Sequence, residues 1–287
     1  MTERLAHRRR PVAVLAVAGA DREAFLQGQL TQDARGLREG EARFMAGLTP
    51  RGKLLYFGWL FGERERALLL VPESTRESAR AHLAKFAAFQ KVSVDDATAS
   101  YTVWGLYGPA SAASVDAGAR ALPAEGEMSG GLLSPAGEAA RIEAALAAAG
   151  SCALPSTEAE LLRIEAGRPR FGVDADGSNL PDEVGLGAAL STTKGCYVGQ
   201  EVVARLRTYG RVSRRLVGFR LEGGAAAGSI FPDPEKPSHE LARVTSAAVS
   251  PRFGAIGIGL AARDVEEGAS LGGPGGIAAR VVPLPFA

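Results

Sequence analysis

Cysteine and histidine are scarce in this chain of 287 residues. Cys152 and Cys196 are the only thiols, and His7, His82 and His239 the only imidazoles. Two cysteines cannot build a disulfide framework, and a chain of this length does not need one. No CxxC pair occurs, and the spacing of these few ligands gives no support to a structural zinc site, so no metal is assigned. Aromatic residues make up only 6%, which leaves Ala, Leu and Val to fill the core. Net charge is also missing: at +1 the chain is neither a general nucleic-acid coat nor a polybasic membrane anchor, although a local basic patch is compatible with that balance. No uncharged run free of Gly and Pro reaches the ~20 residues of a spanning helix. What is present is glycine, 36 residues of it, implying many turns and close backbone approaches.

The start of the chain admits two readings. His7-Arg8-Arg9-Arg10 followed by Pro11–Ala20 has the layout of a signal peptide, and it also fits a buried strand, Val12–Val17, turning at Gly19 into a helix capped by Asp21. The strand is favoured because Asp21–Leu30 continues as an amphipathic element with no spacer, and a cytoplasmic protein is expected. Strands are predicted over Lys53–Phe61, Arg66–Val71 and Tyr101–Tyr107. Pro72 is expected to open a helix with Ser74 and Glu77 as a capping box and an apolar face through Ala79, Leu83, Phe86 and Phe89. An Ala- and Gly-rich stretch, Ala110–Ala153, holds a helix over Glu138–Ala149. Thr157 and Glu160 form a second capping box before a helix that stops near Gly167, and Phe171–Pro181 must be loop. Beyond Leu216, the short runs Leu216–Leu221, Leu241–Val249, Ala255–Leu260 and Ile277–Val281, separated by Gly/Pro turns, predict an antiparallel barrel.

Several strings could carry chemistry. Gly47–Lys53 nearly matches a phosphate-binding loop, but Leu54 stands where a Ser or Thr should hold magnesium and an apolar strand follows, so it reads as a hairpin turn. The alternating glycines of Gly254–Gly259 lack a βαβ setting for dinucleotide binding. The strongest candidate is KGCYVGQE, Lys194–Glu201. A thiol is a nucleophile or metal ligand only as thiolate, and the cation of Lys194 two residues away would favour that form in Cys196. The competing reading makes Cys196 one more buried small residue. Arg205–Arg220 holds six arginines with Tyr209 and Phe219 among them, suited to phosphates, to a polyanionic tail, or simply to a charged strand edge.

Taken in order, RIEAGRPRFG, NLPDEVGL, KGCYVGQEVVARL and LVGF between Arg163 and Phe219 resemble the YgfZ family of folate-binding proteins, relatives of the aminomethyltransferase (T-protein) of the glycine cleavage system. GADREAFLQGQLTQDA (Gly19–Ala34), TPRGKLL (Thr49–Leu55), KFAAFQKV (Lys85–Val92), GLYGP (Gly105–Pro109), RVTSAAVSP (Arg243–Pro251) and PLPF (Pro283–Phe286) extend the resemblance over nearly the whole chain. The resemblance implies an α+β fold: a T-protein-like folate-binding domain over 1–215, with two subdomains around a central channel and a ferredoxin-like part at roughly 45–150, then a β-barrel over 216–287. It implies tetrahydrofolate as ligand, contacted by Glu165, with Asn179 and Glu183 in the channel wall and Arg205 drawing the glutamate tail. Cys196 and Lys194 would form the reactive centre, with Gln200 and Glu201 fixing its loop. What the thiolate would do stays open: bind iron transiently, carry a one-carbon unit, or scavenge an oxidised group. The implied partners are iron–sulfur enzymes or their assembly factors and, by way of sulfur modification, tRNA; no membrane is expected. T-proteins carry an aspartate pair after the TP-x-G turn, one of them catalytic, and here those positions are Tyr56 and Phe57. That departure disfavours aminomethyl transfer or demethylation, which remains the second reading. A non-enzymatic tRNA- or partner-binding module using Arg205–Arg220 is the third.

Overall fold

A computed structural model describes residues 4–109, 118–125 and 128–287. Residues 110–117 and 126–127 of the Ala/Gly-rich stretch lie outside the described residues. The chain divides into two compact units, Met1–Pro155 with Gly187–Val203, and Ser156–Leu186 with Ala204–Ala287.

The first unit contains β1 (Ala6–Arg9), β2 (Val12–Ala18), α1 (Arg22–Gln29), β3 (Ala42–Leu48), β4 (Leu54–Gly62), β5 (Arg66–Pro72), α2 (Arg76–Ala87), β6 (Ser93–Asp96), β7 (Tyr101–Tyr107), β8 (Arg120–Leu122), β9 (Gly130–Pro135), α3 (Ala139–Ala148) and β10 (Cys152–Ala153). They form two sheets, ordered β3-β4-β5-β2-β6 and β10-β1-β7-β9-β8. The apolar run at residues 12–18 is a strand between β5 and β6, buried on both faces. One face packs Leu15, Val17 and Tyr56 against Phe25 and Leu26 of α1 and Leu83 of α2. The opposite face packs Val14, Ala16, Leu68 and Leu70 against Val103 and Leu133 of the second sheet. Ile142 and Leu146 of α3 close the far side over Trp104 and Leu132. Each fully buried Leu or Ile in such layers contributes about 1.5–3 kcal/mol. The TPRGK turn is a hairpin between β3 and β4, as its sequence implied.

The second unit contains α4 (Ser156–Glu165), most of α5 (Gln200–Tyr209), β11 (Arg214–Glu222), β12 (Ile230–Pro232), β13 (Glu240–Ser250), β14 (Gly254–Ala262), β15 (Ser270–Gly272) and β16 (Ala278–Val282). Its strands form a nearly closed antiparallel barrel, ordered β12-β13-β14-β11-β16-β15, around Val217, Phe219, Phe231, Val244 and Val281. Ile164 of α4 and Phe286 pack on Ile256 and Ile258.

Four local readings need correction. Pro72 ends β5 instead of opening a helix. A 3₁₀ turn at Glu73–Thr75 intervenes, and the Thr75 hydroxyl donates back to the Pro72 carbonyl at 2.8 Å, so no capping box forms. α2 stops at Ala87, which leaves Phe89 off the core face and 90% exposed. α4 starts at Ser156, placing Thr157 inside the helix, while Glu160 is held by Arg163 and Arg170 and does not reach back to cap. Asp21 precedes α1, but its carboxylate accepts from the Lys91 amide at 2.9 Å and makes no cap bond.

Candidate functional site

In the first unit, Lys194–Gly199 of the KGCYVGQE segment is a loop tied down at several points, and Gln200 and Glu201 begin α5. The Ser191 amide donates to Thr31 O (3.0 Å) and the Val198 amide to Gly28 O (3.0 Å). Gly199 has φ +84°, and a Cβ there would stand 2.5 Å from Thr49 O, so only glycine passes. Lys194 is 5% exposed. Its ammonium donates to the carbonyls of Gln27 (2.8 Å), Gln32 (3.0 Å) and Leu30, and lies 5.0 Å from the Tyr197 ring centroid. These carbonyls lie at the C-terminal end of α1, where a cation is favoured by the unpaired C=O groups and the helix dipole. Lys194 is thus a clamp that fastens the loop to α1, and its proton-bearing end faces carbonyls. Cys196, between Lys194 and the buried Tyr197, is exposed, which excludes the reading of it as a buried packing residue. Gln200 is half-buried and Glu201 exposed in the first turn of α5, where an acidic side chain suits the helix N-terminus.

Burial pushes the Lys194 ammonium down to about 8, partly offset by Asp33. The sign follows: between pH 8 and the ordinary lysine range near 10.4, unfolding takes up a proton, so the fold gains stability as pH rises. Wild type should gain on the order of 2 kcal/mol over Lys194→Met between pH 7 and pH 10. Denaturant midpoints of both proteins across that range check it. A flat difference would mean that the carbonyls keep the ammonium at its ordinary value.

Tyr56 and Phe57 are both buried in β4. The Tyr56 ring lies against Gly47, where a Cβ would come within 2.3 Å of it, and meets His82 edge-on at 6.5 Å. Its buried hydroxyl has no partner, and burial pushes the phenol well above its ordinary value. Neither position offers a carboxylate, and this phenol cannot accept a proton near neutral pH.

In the second unit, Glu165 ends α4. Its Oε1 accepts from Ser250 Oγ at 2.6 Å, and Ser250 Oγ in turn accepts from the amides of Arg252 and Phe253 (3.1 Å each). The carboxylate is therefore oriented by one oxygen while the residue stays half-buried. Asn179 is 3% exposed. Its Oδ1 accepts from the Asp176 amide at 2.9 Å, but its Nδ2 has no partner. Glu183 is buried and accepts from the Leu180 amide at 2.8 Å, capping the 3₁₀ turn Pro181–Val184. Arg205 is exposed on α5.

A cluster not picked out by sequence reasoning lies in the same unit. Asp174 has a fully buried side chain. It accepts from Arg163 Nη1 (2.8 Å), the Arg170 amide (2.9 Å), Ser246 Oγ (2.7 Å) and Thr245 Oγ1. Arg163 also bonds Glu160 (2.7 and 3.0 Å), Ser246 Oγ (2.8 Å) and the Arg168 carbonyl. The network joins the end of α4, the loop beginning at Arg168, and β13. A lone arginine inside the apolar string LLRIEAG was the available signal.

An orphaned buried donor at Asn179 and an oriented carboxylate at Glu165 suit a pterin, whose edge offers both acceptors and paired N–H donors. The residues present therefore fit a folate. Among the described residues, no group of three or more His, Cys, Asp or Glu could hold a metal ion, and no helix is long and apolar enough to cross a membrane.

No protein-family model matches the chain. The structure of glycine cleavage system aminomethyltransferase T from Bartonella henselae superposes with a TM-score of 0.85, covering 99% of this chain and 86% of that one at 23% identity. The fold is that of a T-type aminomethyltransferase. An aminomethyltransferase of Rubrobacter xylanophilus is 30% identical over 300 residues, 95% of this chain and 80% of its own length. The tRNA-modifying protein YgfZ of Escherichia coli is 30% identical over 236 residues, 75% of this chain and 70% of its own. The chain belongs to the YgfZ and T-protein-like aminomethyltransferase family.

Proposed function

We propose that this protein is a tetrahydrofolate-binding factor of the YgfZ type that supports iron–sulfur enzymes, including those that modify tRNA, with Cys196 as its functional thiol. The observation that carries the reading is an exposed thiol on a loop whose neighbours Lys194, Tyr197, Val198 and Gly199 are each fixed. A thiol displayed on a rigid mount can meet a ligand or partner at little entropic cost. The 30% identity to a protein named tRNA-modifying supports the same direction.

Glu165 would accept the paired N–H groups of the pterin, and Asn179 Nδ2 would donate to it. Bound tetrahydrofolate supplies nucleophilic amine nitrogens able to take up one-carbon units. Lys194 keeps the Cys196 loop in place, Gln200 and Glu201 start the helix that follows it, and Arg205 adds positive potential for a glutamate tail.

Aminomethyl transfer is the second reading, favoured by the Rubrobacter relative. Tyr56 and Phe57 weigh against it, because neither can steer an amine or stabilise developing positive charge. The two separate in one pair of assays. Sulfur-modified tRNA should fall in cells lacking the protein and recover on its expression, while purified protein transfers no methylene group from an amine donor to tetrahydrofolate. Rapid transfer with normal tRNA sulfur content would reverse the assignment.

A further inference from the structure

Beyond Arg205, the arginine-rich stretch is not absorbed by the proposed folate site. Of its six arginines, Arg207 is bidentate to Asp182 (3.0 and 2.6 Å), Arg215 donates to Val265 O (2.9 Å), and Arg220 donates to Phe253 O (2.6 Å) with its guanidinium over the Phe253 and Phe286 rings. Arg205, Arg211 and Arg214 are exposed and pair with no described carboxylate. Among them stands Tyr209, 90% exposed at the end of α5. Arg214 also lines a cleft of about 500 Å³ at the start of β11, together with Ser213, His239, Glu240, Arg243 and Ala262. Among the charged residues lining the cleft, Glu240 is held by Arg243 through Nε (3.1 Å to Oε1) and Nη2, whereas Arg214 pairs with no described carboxylate.

An unpaired arginine in a hydroxyl-bearing cleft suits a phosphate, and a bare tyrosine a few residues earlier in the chain suits a base, since stacking on aromatic rings is how unpaired bases are held. Ser213 lies four positions after Tyr209, a reach of at most ~14 Å, which one or two nucleotides can bridge. A polycarboxylate would use the arginines and leave Tyr209 idle. We propose that Tyr209, Arg214 and Ser213 form a docking site for single-stranded RNA, with a phosphate in the Arg214 cleft and a base on Tyr209. This rests on the tRNA-directed reading above and adds the surface that meets the RNA.

The test is fluorescence anisotropy of a labelled single-stranded oligouridylate with the full-length protein over a series of salt concentrations. Binding should weaken steeply with salt. Arg214→Gln should reduce the slope of log K against log salt by about 0.7, the loss of one phosphate contact. Tyr209→Ala should weaken binding about tenfold at unchanged slope, and Tyr209→Phe should not. Variants that bind like wild type overturn the proposal. So does a polyglutamate peptide that displaces the RNA while Tyr209→Ala has no effect, which would place an acidic protein segment on this surface. Tetrahydrofolate titration of the same preparations keeps the readings apart: uptake of folate without RNA binding removes this proposal alone, and RNA binding without folate uptake removes the folate reading alone.

Discussion

Asp174→Ala is expected to lower the thermal midpoint by about 10 °C, more than a typical single substitution does. Four donors converge on a carboxylate with no exposed surface. Removing it leaves the Arg163 guanidinium buried with its charge only partly met by Glu160, and deleting one partner of a buried ion pair costs about 3–5 kcal/mol. Two hydroxyls, Thr245 and Ser246, lose an acceptor at the same time. Asp174→Asn, of equal size and still able to accept, should fall between wild type and alanine. Calorimetry of the three proteins decides it; a shift of about 2 °C or less for alanine would show that the network contributes nothing net. Because Glu165 is the last residue of the helix that Arg163 anchors, the same substitution should weaken tetrahydrofolate binding even at temperatures where the protein is folded.

Cys196→Ala should have the opposite signature. The thiol is exposed, and the loop around it is held by Lys194, by backbone bonds from Ser191 and Val198, and by the fit of Gly199. Removing one exposed sulfur should therefore leave stability within about 0.5 kcal/mol of wild type. Tetrahydrofolate affinity should be unchanged as well. Complementation of an iron–sulfur enzyme defect, measured as sulfur-modified tRNA, should be lost, because the proposed role requires the thiol. Cys196→Ser, which keeps the shape and removes the sulfur chemistry, should fail in the same way. Full complementation by either variant would remove Cys196 from the mechanism.

The long strands were legible because their apolar content is dense and their ends are marked: β2, β4, β5 and β7 fall where Val, Leu, Phe and Tyr crowd between Gly and Pro. Short strands such as β1, β6, β8 and β10 are polar or only a few residues long, and only their partners make them strands. The family strings picked out the candidate site residues. They could not tell what Lys194 touches, since its carbonyl partners lie more than 160 residues earlier in the chain. From the sequence it was simply the cation nearest Cys196; in the fold its charge is spent on α1. The Arg163–Asp174 network was hidden for a similar reason, its hydroxyl partners Thr245 and Ser246 being on β13. The arginine-rich stretch, read as one basic segment, is divided between α5 and β11, and tertiary contacts decide which of its arginines remain unpaired.

Isothermal titration of the purified protein with tetrahydrofolate, beside Glu165→Ala and Cys196→Ala, bears most directly on whether this chain keeps a pterin site while lacking the transferase acid. Saturable binding that Glu165→Ala weakens at least about tenfold is expected, from the loss of charge-assisted hydrogen bonds to the pterin, with Cys196→Ala equal to wild type. Absence of binding in the wild-type protein, or equal affinity in Glu165→Ala, would contradict it.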